Sequence, residues 1–221
     1  MRKYPVINES NIVEELDAKF IRVYDYQYAP GRHYYNSTRR QFEDLMVLKD
    51  IDECRNALPD AVTCLVVLVT PDDEPRVLML REYRYPIGQY LMSPPAGVLD
   101  PADRNCPDPV LTAARREIHE ETGISLSEKD KLFIINPLLF SSPGLTDESN
   151  AVACAVVHLD DLSILNQNGA EDTELFDGFR LLTKEEAKTI IRNGRDEEGL
   201  FYSVFTQIVL EYFIEDRWLE E

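Results

Sequence analysis

The stretch AARREIHEETGI, residues 113–124, sets Glu117, Glu120 and Glu121 close together in what reads as a helix stopped by Gly123. At 3.6 residues per turn, positions i, i+3 and i+4 share one face, so the three carboxylates occupy one surface patch. Like charges at that spacing cost a helix roughly 0.2–0.5 kcal/mol per pair, and acids in a last turn also oppose the negative end of the helix dipole. A positive partner is therefore required. Arg115 and Arg116 supply part of it, and clustered carboxylate oxygens are how hard divalent cations such as Mg2+ are held. The chemistry that this spacing points to is metal-assisted.

Other residue types suited to an anionic ligand lie outside this helix. Arg81 and Arg84 stand three apart along LREYR; side chains alternate along a strand, so the two point to opposite faces and only one can face a site. Arg39 and Arg40, with Tyr34 and Tyr35 nearby, offer positive charge beside an aromatic surface. The segment GAEDTELFDG and the loop SPGLTDE carry further acids. His33, His119 and His158 show no ligand spacing and receive no role.

The elements that must position these residues can be read from pattern. FIRVYDYQY and HYYNSTRRQF flank APGR and predict a hairpin in an N-terminal appendage, residues 1–57. AVTCLVVLVT and RVLMLREYRY, separated by PDDEP, predict a second hairpin that opens the main domain, residues 58–221. A helix follows from about Pro109, with Asp108 as its N-cap and Gly123 as its stop. KLFIINPLLF, AVACAVVHL and ELFDGFRLL read as strands. Thr183 and Glu186 form a capping box for a short helix that Gly194 ends, and Val204, Phe205, Ile208, Val209, Tyr212 and Phe213 recur at helical spacing. The fold class is mixed α/β (α+β), a sheet sandwiched between helices with an N-terminal β-hairpin appendage.

Composition excludes some roles. A net charge of −18 over 221 residues argues against a protein that embraces nucleic acid through bulk electrostatics, so an anionic ligand needs local help. Cys54, Cys64, Cys106 and Cys154 form no CxxC pair and are expected to be reduced thiols of the core. MRKYPVINES has no apolar h-region, and no run approaches the length of a membrane span. Neither export nor a membrane is indicated, and the cytoplasm is the expected location.

REIHEETGI resembles the second half of the Nudix box, Gx5Ex7REUxEExGU, with Arg116, Glu117, Ile118, Glu120, Glu121, Gly123 and Ile124 in place. The first half departs: Gly97 is followed six residues on by Asp103 rather than Glu, and twelve residues separate Asp103 from Arg116, while counting back from Arg116 lands on Asp108. Either aspartate can take the place of that acid. RVLMLREYRYPIGQYLMSPPAG and SSPGLTDE are similar to segments of the family's ADP-ribose pyrophosphatases, and Ser93 stands where these relatives more often carry Glu.

The resemblance implies a Nudix-type fold and hydrolysis of the pyrophosphate of ADP-ribose to AMP and ribose 5-phosphate with Mg2+, or Mn2+ in its place. It implies Glu117 and Glu121 as principal metal ligands, with Glu120 assisting and the Ala96 backbone carbonyl contributing. Arg84 would bind phosphate, with Gly97, Arg39 and Tyr35 as further substrate contacts. The general base would come from an acidic loop, with Glu174 first, Glu171 second and Glu148 third. A homodimer built through the N-terminal piece is expected, with a nucleoside diphosphate sugar as the ligand. Cleavage of a UDP- or GDP-sugar, and a Nudix-fold sensor that binds a nucleotide without cleaving it, are the alternatives.

Overall fold

The computed structural model describes residues 5–71, 73–169 and 174–220. The chain divides into two compact units, Met1–Asp60 with Leu138–Asn150, and Ala61–Pro137 with Ala151–Glu221. The loop SSPGLTDESN thus belongs with the N-terminal segment. That first unit holds an antiparallel sheet of β1 (Ile12–Asp17), β2 (Arg22–Ala29) and β3 (Arg32–Thr38) in that order. The predicted hairpin is β2–β3, turning at Gly31 with φ +64°, a left-handed conformation that glycine adopts without a Cβ clash. β1 was not predicted. It pairs Ile12 with Tyr26 and Glu14 with Tyr24, and the unit's core is Ile12, Tyr24, Tyr26 and Leu45, with Phe42, Val47 and Leu48 against it. A short helix α1 (Ile51–Arg55) follows, capped by Asp50 and Glu53.

The second unit is built on β4 (Ala61–Val69), β5 (Arg76–Arg84), β6 (Gln89–Ser93), β7 (Ala96–Val98), β8 (Lys131–Phe140), β9 (Ser149–His158) and β10 (Phe176–Leu182); residues 138–140 of β8 and 149–150 of β9 are counted in the first unit. The order is β10-β5-β4-β9-β8, with β6 on β5 and β7 on β4. β4 and β5 are antiparallel. Bonds from Asp60 N to Ser149 O and from Leu159 N to Val69 O make β4 and β9 parallel, so the sheet is mixed. Its helices are α2 (Pro101–Arg104), α3 (Pro109–Thr122), α4 (Lys184–Asn193) and α5 (Val204–Ile214).

β4 reads AVTCLVVLV without alternation because both of its faces are covered. Val62, Cys64, Val66 and Leu68 pack with Ala113, Ala114 and Ile118 of α3. Leu65 and Val67 point the other way and are equally buried, on the side where α5 meets β4. α4 carries the predicted capping box, Glu186 N donating to Thr183 Oγ1 at 3.2 Å and Thr183 N to Glu186 Oε2 at 2.7 Å. α5 starts at Val204 behind the N-cap Ser203, whose hydroxyl accepts from Thr206 N at 3.1 Å. Asp108 takes the N-cap place of α3, but its side chain makes no capping bond. All four cysteines are free; Cys64 and Cys154 are buried, while Cys54 and Cys106 are partly exposed.

Candidate active site

α3 buries Val110, Ala113, Ala114 and Ile118 against the sheet, and the helical repeat then brings Glu117 and Glu121 to the margin of that apolar stripe. Both are buried, at 5% and 2% exposure, while Glu120 stays half-buried. The backbone after β6 meets them. Ala96 N donates to Glu121 Oε2 at 3.0 Å. A Cβ placed on Gly97 would lie 1.9 Å from Glu117 Oε1, so the missing side chain is the space in which that carboxylate sits. Gly123, at φ +75°, ends the helix; a side chain there would strike Asn166 and the carbonyl of Ile164.

Arg116 is the cation that the sequence required. Its Nη1 donates to Glu117 Oε1 at 2.8 Å and Glu120 Oε2 at 2.9 Å, and its Nη2 to Asp103 Oδ2 at 2.8 Å and Val98 O at 2.9 Å. Of the two aspartates left open by counting, Asp103 is thus the one that reaches Arg116. The short helix α2 lifts it in, and it is 4% exposed. Asp108 remains at the start of α3, where its carbonyl accepts from Thr112 N. The residues between Asp103 and α3 form a turn, so the longer spacing in sequence adds no distance in space.

Strand alternation sorts the arginines of β5. Leu78 and Leu80 face the core under α3, so Glu82 and Arg84 continue that face, and Arg81 belongs to the other. Arg81 is buried there and paired with Glu198 and Asp177. Arg84 is 43% exposed at its side chain and pairs with Glu82 at 2.5 Å. Glu82 had no assigned role in the sequence; the signal that finds it is the period of two from Arg84.

Burial pushes the Glu82 and Glu117 carboxyls up to about 7 against the opposing charges of Arg84 and Arg116. Burial also holds the Glu121 carboxyl well above its ordinary value, the charges of Glu82 and Glu117 adding to it and the Ala96 N–H opposing it. Glu174 raises all three, which places its charge within electrostatic reach of this group. Buried acids that resist ionisation are the donor chemistry a hard divalent cation suits, since the cation compensates the charge that burial disfavours. Among the described residues no three His, Cys, Asp or Glu side chains stand at ligand spacing around one point; Arg116 and the Ala96 N–H hold the acids instead.

Glu171 lies outside the described residues. Arg39, Tyr35 and Glu148 fall in the first unit, where Arg39 Nε pairs with Glu148 Oε1 at 2.9 Å and Tyr35 is 54% exposed. Arg40 is buried against Asp60 and Ser149. Tyr34 donates to Gly144 O at 2.7 Å. Among the described residues no helix is long and apolar enough to cross a membrane.

A model of the NUDIX domain matches residues 59–202. The chain is 28% identical over 157 residues to an ADP-ribose pyrophosphatase of Bacillus subtilis, covering 70% of this chain and 71% of that one. It is 38% identical over 90 residues to an ADP-ribose pyrophosphatase of Mycobacterium tuberculosis, a match spanning 41% of this chain and 40% of that protein. A crystal structure of an ADP compounds hydrolase superposes with a TM-score of 0.60 at 17% identity, covering 99% of this chain and 95% of that one, which shows a shared fold.

Proposed function

The chain belongs to the NUDIX family, and from that premise we propose that it hydrolyses the pyrophosphate of ADP-ribose to AMP and ribose 5-phosphate with Mg2+ as cofactor. One observation carries this reading: Glu117 and Glu121 are buried side by side between α3 and the Ala96–Gly97 backbone, with Glu174 in electrostatic reach. A strongly acidic chain can take a pyrophosphate only where cations intervene. The relatives named as ADP-ribose pyrophosphatases support the choice of substrate.

In this mechanism Glu117 and Glu121 would hold the cofactor, with Glu120 and the Ala96 backbone carbonyl assisting. When bound, the divalent cation neutralises charge growing on the pyrophosphate. Arg116, fixed by Asp103, keeps Glu117 and Glu120 in their rotamers. Arg84 presents a planar fork to phosphate oxygens. Glu174 takes a proton from the attacking water as its oxygen bonds to phosphorus and the bridging P–O bond breaks, the electron pair leaving with the departing phosphate.

A panel of nucleoside diphosphate sugars incubated with Mg2+, with products separated by chromatography, tests this. AMP and ribose 5-phosphate from ADP-ribose, ahead of the UDP- and GDP-sugars, is the expected result. Faster cleavage of another nucleotide sugar reassigns the substrate, and tight binding of ADP-ribose without turnover makes the chain a sensor.

A further inference from the structure

We propose that Glu82 is a positioning residue for Arg84, its carboxylate holding that guanidinium on the site face of β5 so that the remaining N–H groups meet a substrate phosphate. The inference rests on the pyrophosphate-cleaving reading above. Positions 82 and 84 share a face because strand side chains alternate, and Arg84 Nη2 meets Glu82 Oε2 at 2.5 Å. The two differ in burial. Glu82 is 13% exposed at its side chain and Arg84 43%, so the acid is fixed and the guanidinium reaches outward.

The walls around Glu82 explain its rigidity. Its direct cross-strand partners are Leu91 on β6 and Phe176 on β10, and Tyr83 N donates to Leu175 O at 2.8 Å, which ties the strand to the chain just before β10. The backbone of Arg84 is equally held, since its carbonyl accepts from Ile87 N at 2.9 Å and Gly88 N at 2.8 Å where the β5–β6 hairpin turns. Only the long side chain of Arg84 is then free to wander, and the short bond to Glu82 removes that freedom. A guanidinium has five N–H donors in a rigid fork, so one bond to Glu82 leaves donors for a phosphate. Glu82 therefore acts through Arg84 and needs no contact with the reacting atoms.

The test is a cycle of Glu82→Leu, Glu82→Gln, Arg84→Ala and Glu82→Leu with Arg84→Ala in the full chain with Mg2+. The readouts are calorimetric affinity for a non-hydrolysable methylene-bridged ADP-ribose analogue, and kcat and KM on ADP-ribose. Glu82→Leu is expected to weaken binding and raise KM by about tenfold, with kcat changed by less than about threefold. Glu82→Gln, which keeps a carbonyl acceptor, recovers most of that affinity and guards against a folding defect in the leucine variant. In the Arg84→Ala background Glu82→Leu adds nothing. An equal cost in both backgrounds, or a fall in kcat at unchanged affinity, overturns the inference while leaving the pyrophosphatase reading in place. Wild-type protein that neither binds the analogue nor cleaves ADP-ribose removes the functional reading and this inference with it.

Discussion

Removing divalent cation should make the stability of this chain fall as pH rises, and the carboxyls of the site give the size of the effect. Glu117 is moved from 4.5 to about 7 by burial, which favours its protonated form by roughly 3 kcal/mol, and solvent screening lowers the usable part to about 2 kcal/mol. A raised carboxyl holds its proton in the folded chain and releases it in the unfolded one. Its stabilisation is therefore fully present below 4.5 and is lost as pH climbs through about 7. For a chain of this length about 2 kcal/mol corresponds to roughly 4–8 °C in Tm. The assay is thermal unfolding in EDTA from about pH 5 to about pH 8.5, on wild type and on Glu117→Gln, which cannot ionise at that position. The variant should lose less Tm over that range by this margin, and Mg2+ should restore wild type at the alkaline end. Two melting curves that shift in parallel with pH would refute the reasoning, because they would mean that Glu117 is not desolvated in the folded state.

Gly97→Ala should fold, yet weaken cation-dependent turnover by tenfold or more, roughly the size expected when a displaced ligand must re-form its contacts; calorimetric titration with Mn2+ checks it, and unchanged affinity counts against the cradle at Glu117. Glu174→Gln should lower kcat by about 10²–10⁴-fold with substrate binding kept, and the Glu171, Glu174 double change is the cleaner probe; wild-type turnover in the double variant moves the base to Glu148. Light scattering at micromolar concentration should give a dimer mass that falls to a monomer when residues 1–57 are removed, and a monomer mass for the intact chain ends that proposal.

The features legible in the order of residues were local. Pro109 in the first turn and the stop at Gly123 bounded α3, and the helical repeat set its acids at one turn's spacing, because both depend only on backbone geometry over a few residues. The capping box at Thr183 and Glu186 and the turn at Gly31 were legible for the same reason. The period of two along LREYR already placed Arg81 and Arg84 on opposite faces. Which of them looked toward α3 was decided only by the packing of Leu78 and Leu80 beneath that helix. The tertiary structure alone also chose Asp103 over Asp108, since a turn of chain erases the extra spacing that counting preserves. It added Glu82 to the carboxylates through the register that sets it beside Phe176 and Leu91, and it grouped residues 138–150 with the N-terminal strands. Each of these depends on contacts between segments far apart in the chain, fixed by strand order and register, and no window of neighbouring residues carries that information.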